Sequence, residues 1–140
     1  MDASAYFRGK KVTLMGLGLL GRGIGDARFL ATAGAELIVT DMKSAEALQP
    51  ALDALAGLPI TFRLGEHHLE DFRGRDIVLV APKTPLSSPY VAEARASGAH
   101  VTMSAALAAT FAQNAGVPVV GVTGTRGKTT TTEMTAAILR

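Results

Sequence analysis

Two glycine-rich bends hold the residues best suited by type and spacing to bind phosphate. The first, Met15-Gly16-Leu17-Gly18-Leu19-Leu20-Gly21, contains G-x-G-x-x-G directly after an apolar run and before a helical segment. Glycines allow a tight turn and close backbone approach there, and the following helix start offers free amide hydrogens and partial positive charge to a diphosphate. Asp41 ends the next apolar run, about twenty residues after Gly21, where such folds place an acidic residue near a ribose or base. Taken alone, this half suggests NAD. The second bend, Val119 through Thr130, runs from a β-branched stretch into Gly124-Thr125-Arg126-Gly127-Lys128-Thr129. Curled backbone amides, a lysine ammonium and a hydroxyl that can ligate magnesium are the parts of an ATP phosphate loop. Val122 stands where the common pattern has glycine, so this is a variant of it.

The elements that must carry these bends follow from the rhythm of the chain. Apolar, β-branched runs at 12–15, 37–40, 60–64, 77–80, 100–103 and 117–122 predict strands. Several are continuously apolar, which favours a parallel sheet covered on both faces. Between them, Ile24, Ala27 and Ala31 share a helical face released at Gly34. A second helix starts near Pro50, a third opens at Ser88-Pro89 and closes by Gly98, and a fourth follows Ser104, with Ser88 and Ser104 as capping residues. Glu133 to Leu139 is helical in character, whereas the threonine run 129–132 has poor helix propensity and a solvated loop is the alternative. Alternating strands and helices predict an α/β fold: a Rossmann-like doubly wound parallel sheet, followed by the first strand-loop-helix of a P-loop ATPase domain. The boundary falls in 114–118, giving a domain over 1–115 and the start of a second over 116–140.

Composition narrows the function classes. The chain has 140 residues, 48% apolar, which suits one domain with a buried core and a fragment of another. Fourteen basic and twelve acidic residues are spread along it, so no polybasic stripe points to nucleic acid. There is no cysteine, which removes disulfides, thiolate metal sites and cysteine nucleophiles. No apolar run reaches the roughly eighteen residues of a membrane span. The expectations are therefore a cytoplasmic protein, a monomer, with neither nucleic acid nor membrane as partner.

Other reactive side chains have plainer explanations. His67 and His68 are adjacent, a spacing that does not converge on a metal, and belong to a solvated loop. His100 begins a strand. No G-x-S-x-G elbow surrounds Ser87, Ser88 or Ser104. Glu66, Glu70, Asp71, Arg63, Arg73 and Arg75 are a mixed charged region for which a solvent-facing surface suffices.

The variant loop Gly124-Thr125-Arg126-Gly127-Lys128-Thr129 resembles the ATP loop of the Mur ligase superfamily. Together with Gly-Leu-Gly-x-x-Gly in a Rossmann-like domain of this length, it is most similar to the branch that adds D-glutamate to UDP-N-acetylmuramoyl-L-alanine in peptidoglycan synthesis. The resemblance runs over essentially the whole chain. It implies that Gly18, Leu19 and Leu20 meet the diphosphate of the sugar nucleotide and that Asp41, Met42 and Lys43 contact uridine. It implies further that Gly124, Thr125, Arg126, Gly127, Lys128, Thr129 and Thr130 bind ATP, with Thr129 on Mg2+ and Lys128 stabilising the transferring phosphoryl group. Three positions depart from the family pattern. Ala81-Pro82-Lys83 stands where Ser-Pro-Gly is usual, so Lys83 either adds a cation to the diphosphate or crowds the uracil. Leu20 replaces a residue that often bears a hydroxyl, and Arg126 one that is usually asparagine. The implied reaction activates a substrate carboxylate with the γ-phosphate of ATP for attack by an incoming amine. The family's amino-acid domain and further magnesium ligands lie beyond Arg140, so this chain is expected to bind but not to ligate, and to bind ATP weakly. An NAD-binding regulatory module and a non-enzymatic remnant are the alternatives. The resemblance requires an open bend at Gly18 and a strand feeding Gly124.

Overall fold

The computed structural model describes residues 2–19 and 21–139. Five strands, β1 (Lys11–Met15), β2 (Glu36–Asp41), β3 (Ile60–Leu64), β4 (Ile77–Val80) and β5 (His100–Thr102), form one sheet in the order β3-β2-β1-β4-β5. Every neighbouring pair is parallel. The α/β, Rossmann-like part of the expectation is thus met. Parallel neighbours need crossovers, and helices α1 (Ala3–Phe7), α2 (Arg22–Thr32), α3 (Gln49–Ala54), α4 (Pro89–Ala96) and α5 (Ser104–Asn114) flank the strands.

Alternation along each central strand divides its side chains between two apolar cores. Val12, Leu14, Leu37, Val39, Ile77 and Leu79 pack with Leu30 of α2, Ala51 of α3 and Leu107 of α5. Met15, Val78 and Val80 turn the other way, towards Phe72 and towards Val91 and Ala94 of α4. Both faces are covered, so β1 from Val12 onward and all of β4 are buried; β4 reads as an unbroken apolar run, and β1 is interrupted only by Thr13, whose hydroxyl donates to the Asp71 carbonyl at 2.6 Å. At the edge, β3 alternates: Thr61 and Arg63 are exposed while Ile60, Phe62 and Leu64 are half-buried.

The helix ends follow local chemistry, with exceptions. α2 opens after Gly21 (φ +84°) and releases the chain at Gly34 (φ +81°), a left-handed position suited to glycine. Pro50 sits in the first turn of α3, as its fixed φ allows. The expected serine caps do not form. Ser88 precedes α4 without a side-chain cap bond, and Ser104 is already inside α5, with Met103 in the capping position. α1 was not foreseen: Asp2 caps it through the Ser4 amide at 3.0 Å. Its Tyr6 and Phe7 rings then meet Phe111 edge-on, and this packing stabilises a helix too short to persist alone.

The largest departure lies at 117–122. No strand forms there, although its β-branched sequence predicted one, and nearly every residue from Gln113 onward is exposed. A strand exists only where a neighbouring backbone receives its hydrogen bonds, and among the described residues none pairs with this segment. The loop it leads into does pass directly into a helix, α6 (Lys128–Leu139), which includes the threonine run. Among the described residues no helix is long and apolar enough to cross a membrane.

Candidate functional site

Strand order reverses between β1 and β4, because the chain leaves β1 towards β2 on one side and returns to β4 on the other. At such a point the loops leaving the strand ends diverge and open a crevice. A cleft of about 630 Å3 lies there, walled by Gly16 to Leu19, Arg22 and Gly23 after β1, by Asp41 and Lys43 after β2, and by Ala81-Pro82-Lys83 after β4. A volume in this range suits a small-molecule ligand.

Close packing forms the bend. Gly16 (φ +96°) carries the β1–β2 ladder on through its amide to the Thr40 carbonyl at 2.8 Å. A Cβ on Gly23 would stand 2.0 Å from the Leu17 carbonyl oxygen, so only glycine lets α2 lie against the loop. Gly23 escaped the sequence reading. The signal for it was a buried-side glycine in a helix, which costs about 1 kcal/mol relative to alanine unless packing requires it. Gly21 supplies no side-chain cap to α2, and no acid sits in the first turn, so the free first-turn amides keep their positive character at the cleft wall.

Asp41 is buried and spends both carboxylate oxygens on backbone. Oδ2 accepts from the Gly18 amide at 2.9 Å and Oδ1 from the Lys43 amide at 2.9 Å. It therefore ties the glycine bend to the end of β2 as well as facing the cleft, and the Gly18 amide expected to face a diphosphate is donated to Asp41. On the far wall, the Thr84 amide donates to the Ala81 carbonyl at 2.9 Å, a turn that sets the exposed Lys83 at the rim.

Of the residues singled out by sequence, Gly18, Leu19, Asp41, Lys43 and Lys83 come together around this cleft. Met42 is exposed and is not among its walls, and Leu20 lies outside the described residues. Arg22 is a cleft residue the sequence reading passed over. None of the residues of the second loop lines the cleft. In that loop Gly127 has φ +77°, α6 begins at Lys128, and the lysine Nζ donates back to the Gly124 carbonyl. Gly124, Thr125, Arg126, Gly127, Lys128, Thr129 and Thr130 are all exposed.

Two expectations about polar residues are corrected. His67 is half-buried rather than solvated: its Nδ1 is 2.7 Å from Thr40 Oγ1, and its ring meets Tyr90 and Phe72 edge-on. Burial lowers its pKa, against the pull of Asp41 and Asp71. The charged region is not wholly a surface, since Asp71 and Arg75 are buried. Arg75 donates to the Glu36 carbonyl at 2.6 Å and the Val12 carbonyl at 2.9 Å, joining the starts of β1 and β2. Tertiary pairing drew these groups inward, which local sequence does not reveal. His68 stays exposed, and among the described residues no group of three or more His, Asp or Glu gathers to hold a metal.

Comparison with known proteins agrees with the topology. The chain is 49% identical over 132 residues to the UDP-N-acetylmuramoylalanine--D-glutamate ligase of Roseiflexus sp. (strain RS-1), covering 94% of this chain and 28% of that protein. It is 42% identical over 137 residues to the protein of the same name from Anaeromyxobacter dehalogenans (strain 2CP-C), covering 98% and 29%. The chain thus spans less than a third of the length of these relatives. Among solved structures, a pseudomurein peptide ligase type C from Methanothermus fervidus superposes with a TM-score of 0.56 at 27% identity, over 94% of this chain and 26% of that one. The A chain of dipicolinate synthase from Bacillus subtilis reaches 0.52 at 18% identity over 86% of this chain and 40% of that one, a likeness of fold alone. The strand feeding Gly124 is missing, yet the family does not depend on it, because the domain described as Mur ligase MurD-like, N-terminal domain, matches residues 10–103. With the strand order, the bend after β1 and this match in agreement, the chain belongs to the MurD-like N-terminal domain family of Mur ligases.

Proposed function

We propose that the cleft at the β1/β4 switch point binds the uridine diphosphate portion of UDP-N-acetylmuramoyl-L-alanine, and that the chain is the N-terminal part of a ligase joining D-glutamate to it. One observation carries the reading: the glycine bend, the Asp41–Lys43 turn and Lys83 converge on one cleft at the place where open α/β sheets receive nucleotides. The cleft offers first-turn amides and the cations Arg22 and Lys83 to the diphosphate, and Asp41 and Lys43 lie on the wall assigned to uridine. Leu19 belongs to the diphosphate wall in this reading and Met42 to the uridine side, and the resemblance carries the diphosphate role to Leu20.

Residues 1–115 form the UDP-binding domain and 116–140 begin the ATP domain. A match covering 98% of the chain necessarily spans the second loop, which supports carrying that loop's role across. The loop fits phosphate: an exposed, glycine-bounded bend opens onto the first turn of a twelve-residue helix. Magnesium-bound ATP would supply the transferable phosphoryl group. The amides of Thr125, Arg126 and Gly127 would hold its phosphates with the Lys128 ammonium, while Thr129 contributes one hydroxyl oxygen to the metal and Thr130 stands beside it. Without a sheet behind 117–122, these parts lack a rigid base, so the chain alone binds ATP weakly and does not ligate. A cytoplasmic, monomeric protein belongs to the same reading.

The test is thermal unfolding of the 140-residue chain with UDP, NAD or magnesium ATP. A ligand at a hundred times its Kd adds about 2.7 kcal/mol to stability, so UDP should raise Tm clearly and NAD should not. Asp41→Ala, which frees the Gly18 and Lys43 amides, should abolish the UDP shift. A shift with NAD and none with UDP would overturn the reading of the cleft, and tight magnesium-dependent ATP binding would overturn that of the second loop.

A further inference from the structure

Three cations line the cleft, Arg22, Lys43 and Lys83, and they differ in how they are held. The two lysines are exposed and have no side-chain partner among the described residues. Arg22 is fixed from two sides: its Nη1 lies 3.0 Å from Asp26 Oδ2, one turn along α2, and 3.5 Å from Ser104 Oγ at the start of α5. Both contacts use the same nitrogen. The other edge of the guanidinium, Nε and Nη2, has no partner among the described residues, and the side chain is 40% exposed.

We propose that Arg22 is a diphosphate-binding and specificity-determining residue, its Nε–Nη2 edge donating to two phosphate oxygens while Asp26 and Ser104 orient the guanidinium through Nη1. The inference rests on the cleft's being a nucleotide site. An arginine edge matches two oxygens of a phosphate group in one plane, which a lysine ammonium cannot. Orientation by Asp26 and Ser104 also lowers the rotamer entropy lost on binding. Arg22 is the first residue of α2, so its charge adds to the free first-turn amides just where the Gly18 amide has been taken by Asp41. With the fork on the outer phosphate, the bend selects nucleoside diphosphates over monophosphates and nucleosides, which lack that group. Asp26 and Ser104 are positioning residues.

Calorimetric titration of the 140-residue chain with UDP, UMP and uridine tests this. Arg22→Ala should weaken UDP about tenfold, the loss of a charge-assisted pair of bonds, weaken UMP less and leave uridine unchanged. Arg22→Lys, which keeps the charge and loses the fork, should fall between wild type and Arg22→Ala. Asp26→Asn should cost less than Arg22→Ala and show the same order of ligands. Exposed helical ion pairs contribute little to stability, so all three variants should melt close to wild type. Equal affinity of wild type and Arg22→Ala for UDP, or an equal loss for UDP and uridine, would overturn the role of Arg22 and leave the UDP site standing. Failure of wild type to bind UDP would overturn both.

Discussion

The two glycine-rich bends have nearly the same backbone chemistry, yet the first walls a cleft at the strand-order reversal and the second does not line it. The bend after β1 follows a central strand with a partner on each side, and the glycines at its two ends pack against neighbours: a Cβ on Gly16 would lie 3.3 Å from Ala81 Cβ and one on Gly23 would overlap Leu17, while one on Gly18 or Gly21 would meet open space. The second bend follows an exposed segment with no strand partner among the described residues; a Cβ on Gly121 or Gly127 would meet open space, and one on Gly124 would meet only its own loop, the Arg126 carbonyl oxygen at 3.3 Å. A phosphate loop is therefore only as rigid as the sheet that feeds it. Its glycines and lysine supply the donors, while neighbouring strands fix where those donors point.

That comparison can be broken with matched substitutions. The largest expected effect is at Gly23. Gly23→Ala sets a methyl against a backbone carbonyl that cannot swing aside, and should cost about 4 kcal/mol, lowering Tm by roughly 10–20 °C. Gly121→Ala should change Tm by no more than about 1–3 °C, since surface changes stay within about 0.5 kcal/mol. Comparable losses at both positions would mean that the second bend is packed after all. Next come the strands. Leu14→Ala empties a fully buried position in β1 and should cost about 3 kcal/mol in denaturant unfolding, whereas Val120→Ala, at a position 80% exposed, should be nearly neutral.

The smallest effect concerns the wall behind Asp41. Burial holds the His67 pKa below its ordinary value, so as pH falls the unfolded chain takes up the proton before the folded one does. His67 therefore contributes stability that is complete above its unfolded pKa of about 6.5 and is lost as pH drops through the lowered folded value. Melting curves between pH 7.5 and 5 should show that loss, and His67→Gln should flatten it. An unchanged pH profile in the variant would mean that the ring is solvated in solution, as its sequence alone suggested.

Much of the architecture could be read from the chain because hydrophobic periodicity and glycine punctuation are local signals. Residues 12–15, 37–40, 60–64, 77–80 and 100–103 declared themselves as strands, and Pro50, Gly34 and Gly98 marked helix ends within a residue or two. Of the cleft residues, Gly18 and Asp41 were legible from the spacing of nucleotide-binding bends, and Leu19, Lys43 and Lys83 from the family resemblance. Hidden from that reading were groups whose role depends on a partner far along the chain. Arg75 lies 63 residues from the Val12 carbonyl it caps, Arg22 lies 82 from Ser104, and His67 lies 27 from Thr40.

Sequence by itself determined the alternation of elements, the two phosphate-type bends and the family, because each is written in neighbouring residues. Only the tertiary structure decided which bend became a walled cleft, that Asp41 would bind backbone amides as well as face that cleft, and that 117–122 would stay unpaired. Side-chain pattern governs whether a segment can be a strand, but a strand forms only when another backbone takes up its hydrogen bonds, and that depends on the rest of the fold.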